Sequence, residues 1–392
     1  MSQPSTSVNR EVLQIARDLA RQFSLTAAER DERGGTPQAE RDALRASGLL
    51  RLSIPSELGG LGASWVDTLA TVRELATADS SIAHVYGFHH LLLATTRLFA
   101  KAEQWQPWFE QTARNNAFWG NTLNPLDKRT VATPTASGYL FSGQKSFCSG
   151  AIDSDRLIAS ALDGERLLIA AIPTQRAGIT LHHDWDNMGQ RQTDSGSATF
   201  DNVEVATDEL LLDPGPLSTP FSSLRPLLAQ LTFVNLFLGI SEGAVTQARE
   251  YTRQEARPWF KADVQKATDD PYVLARYGEF YAGLEAVRVL TERANGLFDK
   301  AWNKGVELTA EERAQVALAV GSAKVNATRI GLDVTSRLFE VTGARATSAQ
   351  RRFDRYWRNL RTQTLHDPVD YRIRELGEWL LNDKPPTPSF YS

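Results

Sequence analysis

The hydrophobic pattern changes period twice along this chain, and the order of the changes limits the folds open to it. From Val8 to about Asn115 apolar side chains recur every three or four positions, as at Val12, Ile15, Leu19 and Phe23, the spacing of one face of an amphipathic helix. From Phe118 to about Leu212 the texture breaks into short runs such as "RTVATP", "GYLFSG", "RLIASAL" and "RLLIAAI", separated by Gly, Asp, Asn and Pro, which predicts short strands. After "DPGPLSTP" helical periodicity returns, with Leu284, Val287, Leu290, Ala294 and Leu297 on one face, and continues to about Leu381. The order disfavours a doubly wound parallel sheet, which alternates strand and helix. It predicts an α+β chain with a helical unit over 1–116, a central β unit over 117–215 and a helical bundle with a tail over 216–392.

Local signals sharpen the boundaries. "TAAE" at Thr26 to Glu29 and "TAEE" at Thr309 to Glu312 have capping-box spacing, and Thr36 before Pro37 has the form of an N-cap with proline at the first helical position. The proline and glycines of "IPSELGGLGAS" predict a loop. No internal repeat is present, and the one biased stretch is the short tail "KPPTPSFYS".

Several function classes are disfavoured by composition. The formal charge is −4 with both signs scattered, so no nucleic-acid partner is expected. A single Cys allows neither an internal disulfide nor a CxxC site, and the six His include no HExxH, so no metal is expected. The N-terminus lacks a basic region followed by an apolar run, and no stretch of 18 apolar residues is found, so the expectation is a soluble cytoplasmic protein with no membrane partner. Neither GxGxxG nor GxxxxGK[ST] occurs, so a nucleotide or flavin would bind by another route. The lone Cys148, in "GQKSFCSGAIDSD", is open to three readings: a nucleophile, a small buried hydrophobe, or a bystander beside the residue that matters.

Three separated segments resemble the acyl-CoA dehydrogenase family. "SGQKSFCSGAIDSD" is similar to its GxKxWITNAxxAD segment, "MGQRQTDSGSATFDNVEV" to its LGxRxSxTxxVxFxxVxV segment, and "LFEVTGARATSAQRRFDRYWRNLRT" to a late segment in which a Gly-containing turn precedes a basic, aromatic helix. The resemblance implies an N-terminal helical domain, a central β-barrel-like domain and a C-terminal four-helix bundle. Two departures stand out. The Glu that abstracts the substrate α-proton is replaced by "TQTLHDPVDY", and TEPxAGSD by "FWGNTLNPLD". Both departures, with "GFHH", "FCSGA", "DWDNMGQRQTDSGS", "QKATDDPY" and "TLHDP", resemble the two-component flavin monooxygenases on this scaffold that act on dibenzothiophene or methanesulfinate.

That resemblance implies reduced FMN supplied by a separate NAD(P)H-dependent flavin reductase, O2 as co-substrate, a C4a-hydroperoxyflavin, a small organosulfur substrate, and a homotetramer built as a dimer of dimers. Carried over by position, Ser149 bonds near flavin N5 and Cys148 replaces an apolar Ile. Asn121 contacts the flavin edge, Trp185 walls the ring, and His366 and His89 flank the oxygen-reacting face. Arg257 pairs with the FMN phosphate across a subunit interface. His84, His182 and His183 are expected to be ordinary structural or surface residues. Where dibenzothiophene enzymes have a second His in "THTLHD", this chain has Gln363, and an aromatic expected after "GYH" is aliphatic here, around Leu92 and Leu93. Leu93 is therefore expected at the substrate, with Arg225 as a site for a small sulfinate. The loop "ARPWFKADVQKATDDP" is expected to close over the flavin. Oxidation of an alkanesulfinate such as methanesulfinate leads; thiophene sulfur oxidation, N- or C-hydroxylation, FAD-dependent acyl-CoA dehydrogenation and a non-enzymatic scaffold are the alternatives.

Overall fold

The computed structural model describes residues 10–392; the start of the first helical run at Val8 lies outside them. Six helices come first: α1 (Arg10–Ser24), α2 (Ala27–Arg33), α3 (Gln38–Ser47), α4 (Trp65–Ala76), α5 (Ser80–Phe99) and α6 (Ala102–Asn115). Seven strands follow: β1 (Trp119–Thr122), β2 (Val131–Pro134), β3 (Gly138–Lys145), β4 (Arg156–Asp163), β5 (Arg166–Pro173), β6 (Ile179–Leu181) and β7 (Ala198–Ala206). The chain then enters the long helices α7 (Leu224–Gln254), α8 (Pro271–Lys304) and α9 (Ala310–Thr342), and closes with α10 (Asp354–Thr364) and α11 (Val369–Asn382).

The two capping boxes fare differently. At the start of α9 the Thr309 hydroxyl accepts from the Glu312 amide at 3.2 Å and the Glu312 carboxylate accepts from the Thr309 amide at 3.1 Å, so both orphan donors are satisfied. At α2 the Thr26 side chain caps no amide, because its hydroxyl accepts from Arg30 Nε at 3.0 Å. Arg30 is buried and also meets Glu40, Asp79 and the Phe23 carbonyl; satisfying that cation outweighs one cap. Pro37 sits at the N-cap of α3, one position earlier than the Thr36 signal implies.

The strands form one curled sheet in the order β1-β4-β2-β3-β7-β6, with β5 on the free side of β4. β4 and β5 pair antiparallel along their whole length, from Arg156↔Pro173 to Asp163↔Arg166. β1 runs parallel to the first half of β4, which places Asn121 opposite Ile158.

In the bundle, α7 packs against α9, α8, α4 and α5. Its apolar stretch is long enough to cross a membrane, yet 89% of that stretch is buried inside the protein, so it is a core helix. Two glycines on one of its faces explain how closely it approaches α4. A Cβ on Gly239 would stand 2.3 Å from the Arg73 carbonyl oxygen, and one on Gly243 would stand 2.0 Å from that of Thr77. α5 lies between α7 and β1 and is buried from Ser80 almost to its end.

Candidate active site

A cavity of about 600 Å³ opens where α5, the strand-end loops, α7, the α10–α11 turn and the tail converge. Two loops build its polar wall. After β3 the backbone turns through Phe147 at φ 60°, and in the loop before β7 through Gln190 at 55° and Asp194 at 49°. Non-glycine residues adopt this left-handed region only where their surroundings enforce it. Backbone bonds from Cys148 N to Gly196 O and from Gly150 N to Thr193 O, both 2.9 Å, zip the loops together. The zip sets up a chain of hydroxyls on the cavity wall, Ser149 to Ser195 at 2.7 Å and Ser195 to Thr193 at 2.7 Å. Asn121 borders them, its backbone N–H donating to the Ser149 carbonyl at 3.0 Å. Cys148 points into the β core, where burial pushes its thiol up to about 12. It is a buried, protonated side chain.

Trp185 lines the same wall. Its indole N–H donates to the Gln190 carbonyl at 2.8 Å, and its ring meets Phe147 edge-on at 6.1 Å. Gln190 is in turn held by Asn359 Oδ1 of α10 at 2.7 Å and by the Ser80 hydroxyl of α5 at 3.0 Å, so an aromatic slab is fixed by three elements.

Across the cavity, His366 lies in the α10–α11 turn, its Nδ1 3.1 Å from Asp367 Oδ1. Asp367 pairs with the buried Lys324 ammonium at 3.4 Å, and that ammonium also lies over the Phe233 and Phe237 rings. Burial pushes the Asp367 carboxyl up, but Lys324 and His366 outweigh it and hold the group below the usual carboxylate range. An ionised Asp367 only accepts, so His366 Nδ1 carries the proton and Nε2 is its remaining acceptor.

α5 contributes His84, Phe88 and Leu91, which share one helical face. His89 is elsewhere. Its Nε2 donates to the Leu50 carbonyl at 2.6 Å and its Nδ1 accepts from the Trp119 amide at 3.2 Å, with burial lowering its pKa to about 4. His90 bonds Ser53 at 2.7 Å. The expectation that His89 flanks the reacting face is therefore replaced: both ring nitrogens of His89 are occupied in tying α5 to the turn after α3 and to β1. Leu92 and Leu93 are core residues and do not reach the cavity; the apolar side chains of α5 that do are Phe88, which is aromatic, and Leu91. His84, expected to be ordinary, lines the cavity, with Nδ1 3.0 Å from Gln363 Nε2 and with Nε2 buried and unpartnered among the described residues. Burial, reinforced by the nearby His366, lowers its pKa to about 3.

Arg225, in the first turn of α7, also lines the cavity and is only 7% exposed. Among the described residues its one side-chain hydrogen bond is from Nε to Thr95 Oγ1 at 3.4 Å, and no carboxylate pairs with it. Burial lowers its pKa to about 10, with Tyr391 opposing, so it remains a cation at neutral pH. Arg257 is exposed on the α7–α8 loop and does not reach this cavity.

Comparison with known proteins agrees with this architecture. Residues 6–116 match the acyl-CoA dehydrogenase N-terminal domain and residues 231–371 the acyl-CoA dehydrogenase C-terminal domain. The chain is 67% identical, over the full length of both, to a probable FMNH2-dependent monooxygenase SfnC of Pseudomonas putida. It superposes on the structure of methanesulfinate monooxygenase MsuC from Pseudomonas fluorescens with TM-score 0.96 and 64% identity, covering all of both chains. The FMN-bound structure of TdsC from Paenibacillus sp. A11-2 gives TM-score 0.93 and 45% identity over 98% of this chain and all of that one. This chain belongs to the flavin-dependent monooxygenases of the acyl-CoA dehydrogenase family.

The cavity of this family member suits a flavin on its own evidence. It offers a fixed aromatic slab, a row of hydroxyls and several buried polar atoms without partners, His84 Nε2, Gln190 Oε1 and Gln230 Oε1. An orphaned buried polar group costs about 1–3 kcal/mol unless a ligand meets it. Sequence reasoning missed His84, Ser195, Thr193 and the tail residues Phe390 and Tyr391 as cavity residues. Ser195 and Thr193 were within reach, because "QTDSGS" stands in a segment already matched to the family; the tail contact is long-range and leaves no local signal.

Proposed function

We propose that this protein oxidises a small alkanesulfinate, methanesulfinate being the simplest, to the sulfonate, for sulfur assimilation in the cytoplasm. Bound reduced FMN, supplied by a separate NAD(P)H-dependent reductase, provides two electrons: one oxygen atom of O2 bonds to sulfur, the other leaves as water, and FMN is released oxidised. The observation that carries the substrate reading is Arg225, a buried guanidinium facing the cavity without a carboxylate. Such a cation is costly to keep unless an anion meets it, and its planar fork matches a sulfinate's two oxygens. Phe88, Leu91 and Phe390 add apolar wall to the same cavity, as an alkyl group requires.

Ser149, Asn121 and Trp185 hold the isoalloxazine ring. His84 and His366, which line the same cavity, would face the oxygen atom to be transferred. Among the described residues no Asp or Glu lines the cavity, so none is placed to take an α-proton from an acyl thioester, which counts against the dehydrogenase alternative. Oxidation of a thiophene is the second reading, favoured by the aromatic wall; a neutral ring would leave Arg225 unmatched.

The protein acts as a homotetramer, a dimer of dimers. In support, Trp259 and Phe260 are 67% and 76% exposed beside Arg257, and Leu274, Tyr281 and Val289 are exposed along α8, apolar side chains that a subunit interface would cover. On this reading Arg257 reaches the FMN phosphate of a neighbouring subunit, and the loop closes over that site. The substrate assignment is tested by Arg225→Leu: KM for methanesulfinate should rise by about 10-fold or more while FMN affinity is retained. An unchanged KM removes the sulfinate assignment.

A further inference from the structure

His84 and His366 differ in what they offer the cavity, and the difference originates in Gln363. The Gln363 side-chain nitrogen stands 3.0 Å from His84 Nδ1, and an amide nitrogen can only donate. His84 Nδ1 must therefore hold a lone pair, which places the ring proton on Nε2. That Nε2 is buried and has no partner among the described residues, and the ring it belongs to lines the cavity. The plane of the ring is held by Phe88, stacked at 4.1 Å, and by Phe233 at 5.9 Å. His366 is arranged the other way, giving its Nδ1 proton to Asp367 and leaving Nε2 to accept.

We propose that Gln363 is a positioning residue that locks His84 as a neutral N–H donor aimed into the cavity, so that the site presents one fixed donor, His84, and one acceptor, His366. A donor of this kind steadies an oxygen atom carrying negative charge without reorganising. Because it is neutral, it cannot pass a second proton to that oxygen and release it as hydrogen peroxide. Burial is the main reason that a second proton on His84 is disfavoured, and the titratable group facing it from across the cavity, His366, acts in the same direction. His84 therefore keeps its single proton through the neutral range. The tautomer assignment stands on the cavity geometry alone; only its effect on oxygen use rests on the monooxygenase reading.

The test is nitrogen NMR of flavin-free, full-length protein labelled at histidine, with the His84 signals assigned by their loss in His84→Asn. In the wild type at pH 7 the expected pattern is a pyrrole-type Nε2 and a pyridine-type Nδ1. In Gln363→Glu, where the carboxylate accepts, the pattern should reverse and His84 should titrate at higher pH. A wild-type His84 protonated at Nδ1 overturns the proposal, and so does a Gln363→Glu spectrum identical to the wild type. If the tautomer is as expected but no sulfonate forms from methanesulfinate, the substrate reading fails and the role of Gln363 stands.

Discussion

The six histidines divide by what their surroundings let them do. His366 is exposed at 37%, lines the cavity and is anchored by Asp367; with Nδ1 directed to that carboxylate, its Nε2 is left as an acceptor. His366→Ala should leave FMN binding within a few-fold of the wild type while product formed per O2 consumed falls by about 10-fold or more, the balance appearing as hydrogen peroxide. Unchanged coupling would remove His366 from the chemistry. The histidines of α5 instead govern acid stability. His84 and His89 are neutral in the folded protein down to about pH 3 and pH 4, whereas in an unfolded chain they take protons near pH 6.5. Between those values the unfolded state binds more protons, so stability falls as the pH falls. For His89 alone the loss approaches about 3 kcal/mol by pH 4. Thermal unfolding should show Tm declining from pH 7 to pH 5, less steeply in His89→Gln, and parallel slopes would contradict this account.

At the scale of elements, α7 and α4 approach until backbone meets backbone at Gly239 and Gly243. Gly243→Ala introduces a methyl group where no flexible side chain can give way, so the helices must separate, at a cost of about 1–3 kcal/mol. A lowered Tm with retained secondary structure is expected; an unchanged Tm would mean the contact is looser than described. The same scale shows what the sequence made legible. The order of helices and strands, the strand runs and the Thr309 cap could all be read, because each depends on residues within one turn or one hairpin. The face of α5 could not. That helix is buried on almost every side, so its apolar pattern has no phase, and the one-face set His84, Phe88 and Leu91 is indistinguishable by periodicity from the set holding His89 and Leu93. The Thr26 box failed for a related reason, since Arg30's partners Asp79 and Glu40 are distant in sequence. Motif resemblance pointed to Ser149, Asn121, Trp185 and His366, and all four line the cavity.

For the whole molecule, the β unit and the bundle meet around one cavity whose polar wall comes from strand-end loops and whose two histidines, His84 and His366, come from α5 and the α10–α11 turn. On the shared-site proposal, the exposed aromatic loop beside Arg257 ties function to assembly. Light scattering on the purified protein should give a mass four times 43.4 kDa, and Trp259→Asp with Phe260→Asp should lower both that mass and FMN affinity; a fully active monomer would contradict the shared-site proposal. The central claim, sulfinate oxidation with FMNH2 and O2, is tested most directly by mixing the protein anaerobically with photoreduced FMN and methanesulfinate, admitting oxygen, and quantifying methanesulfonate against O2 consumed. The account predicts close to one sulfonate per O2, and far less oxidised product when dibenzothiophene replaces the sulfinate. Hydrogen peroxide as the sole product with methanesulfinate, alongside efficient oxidation of dibenzothiophene, would contradict it.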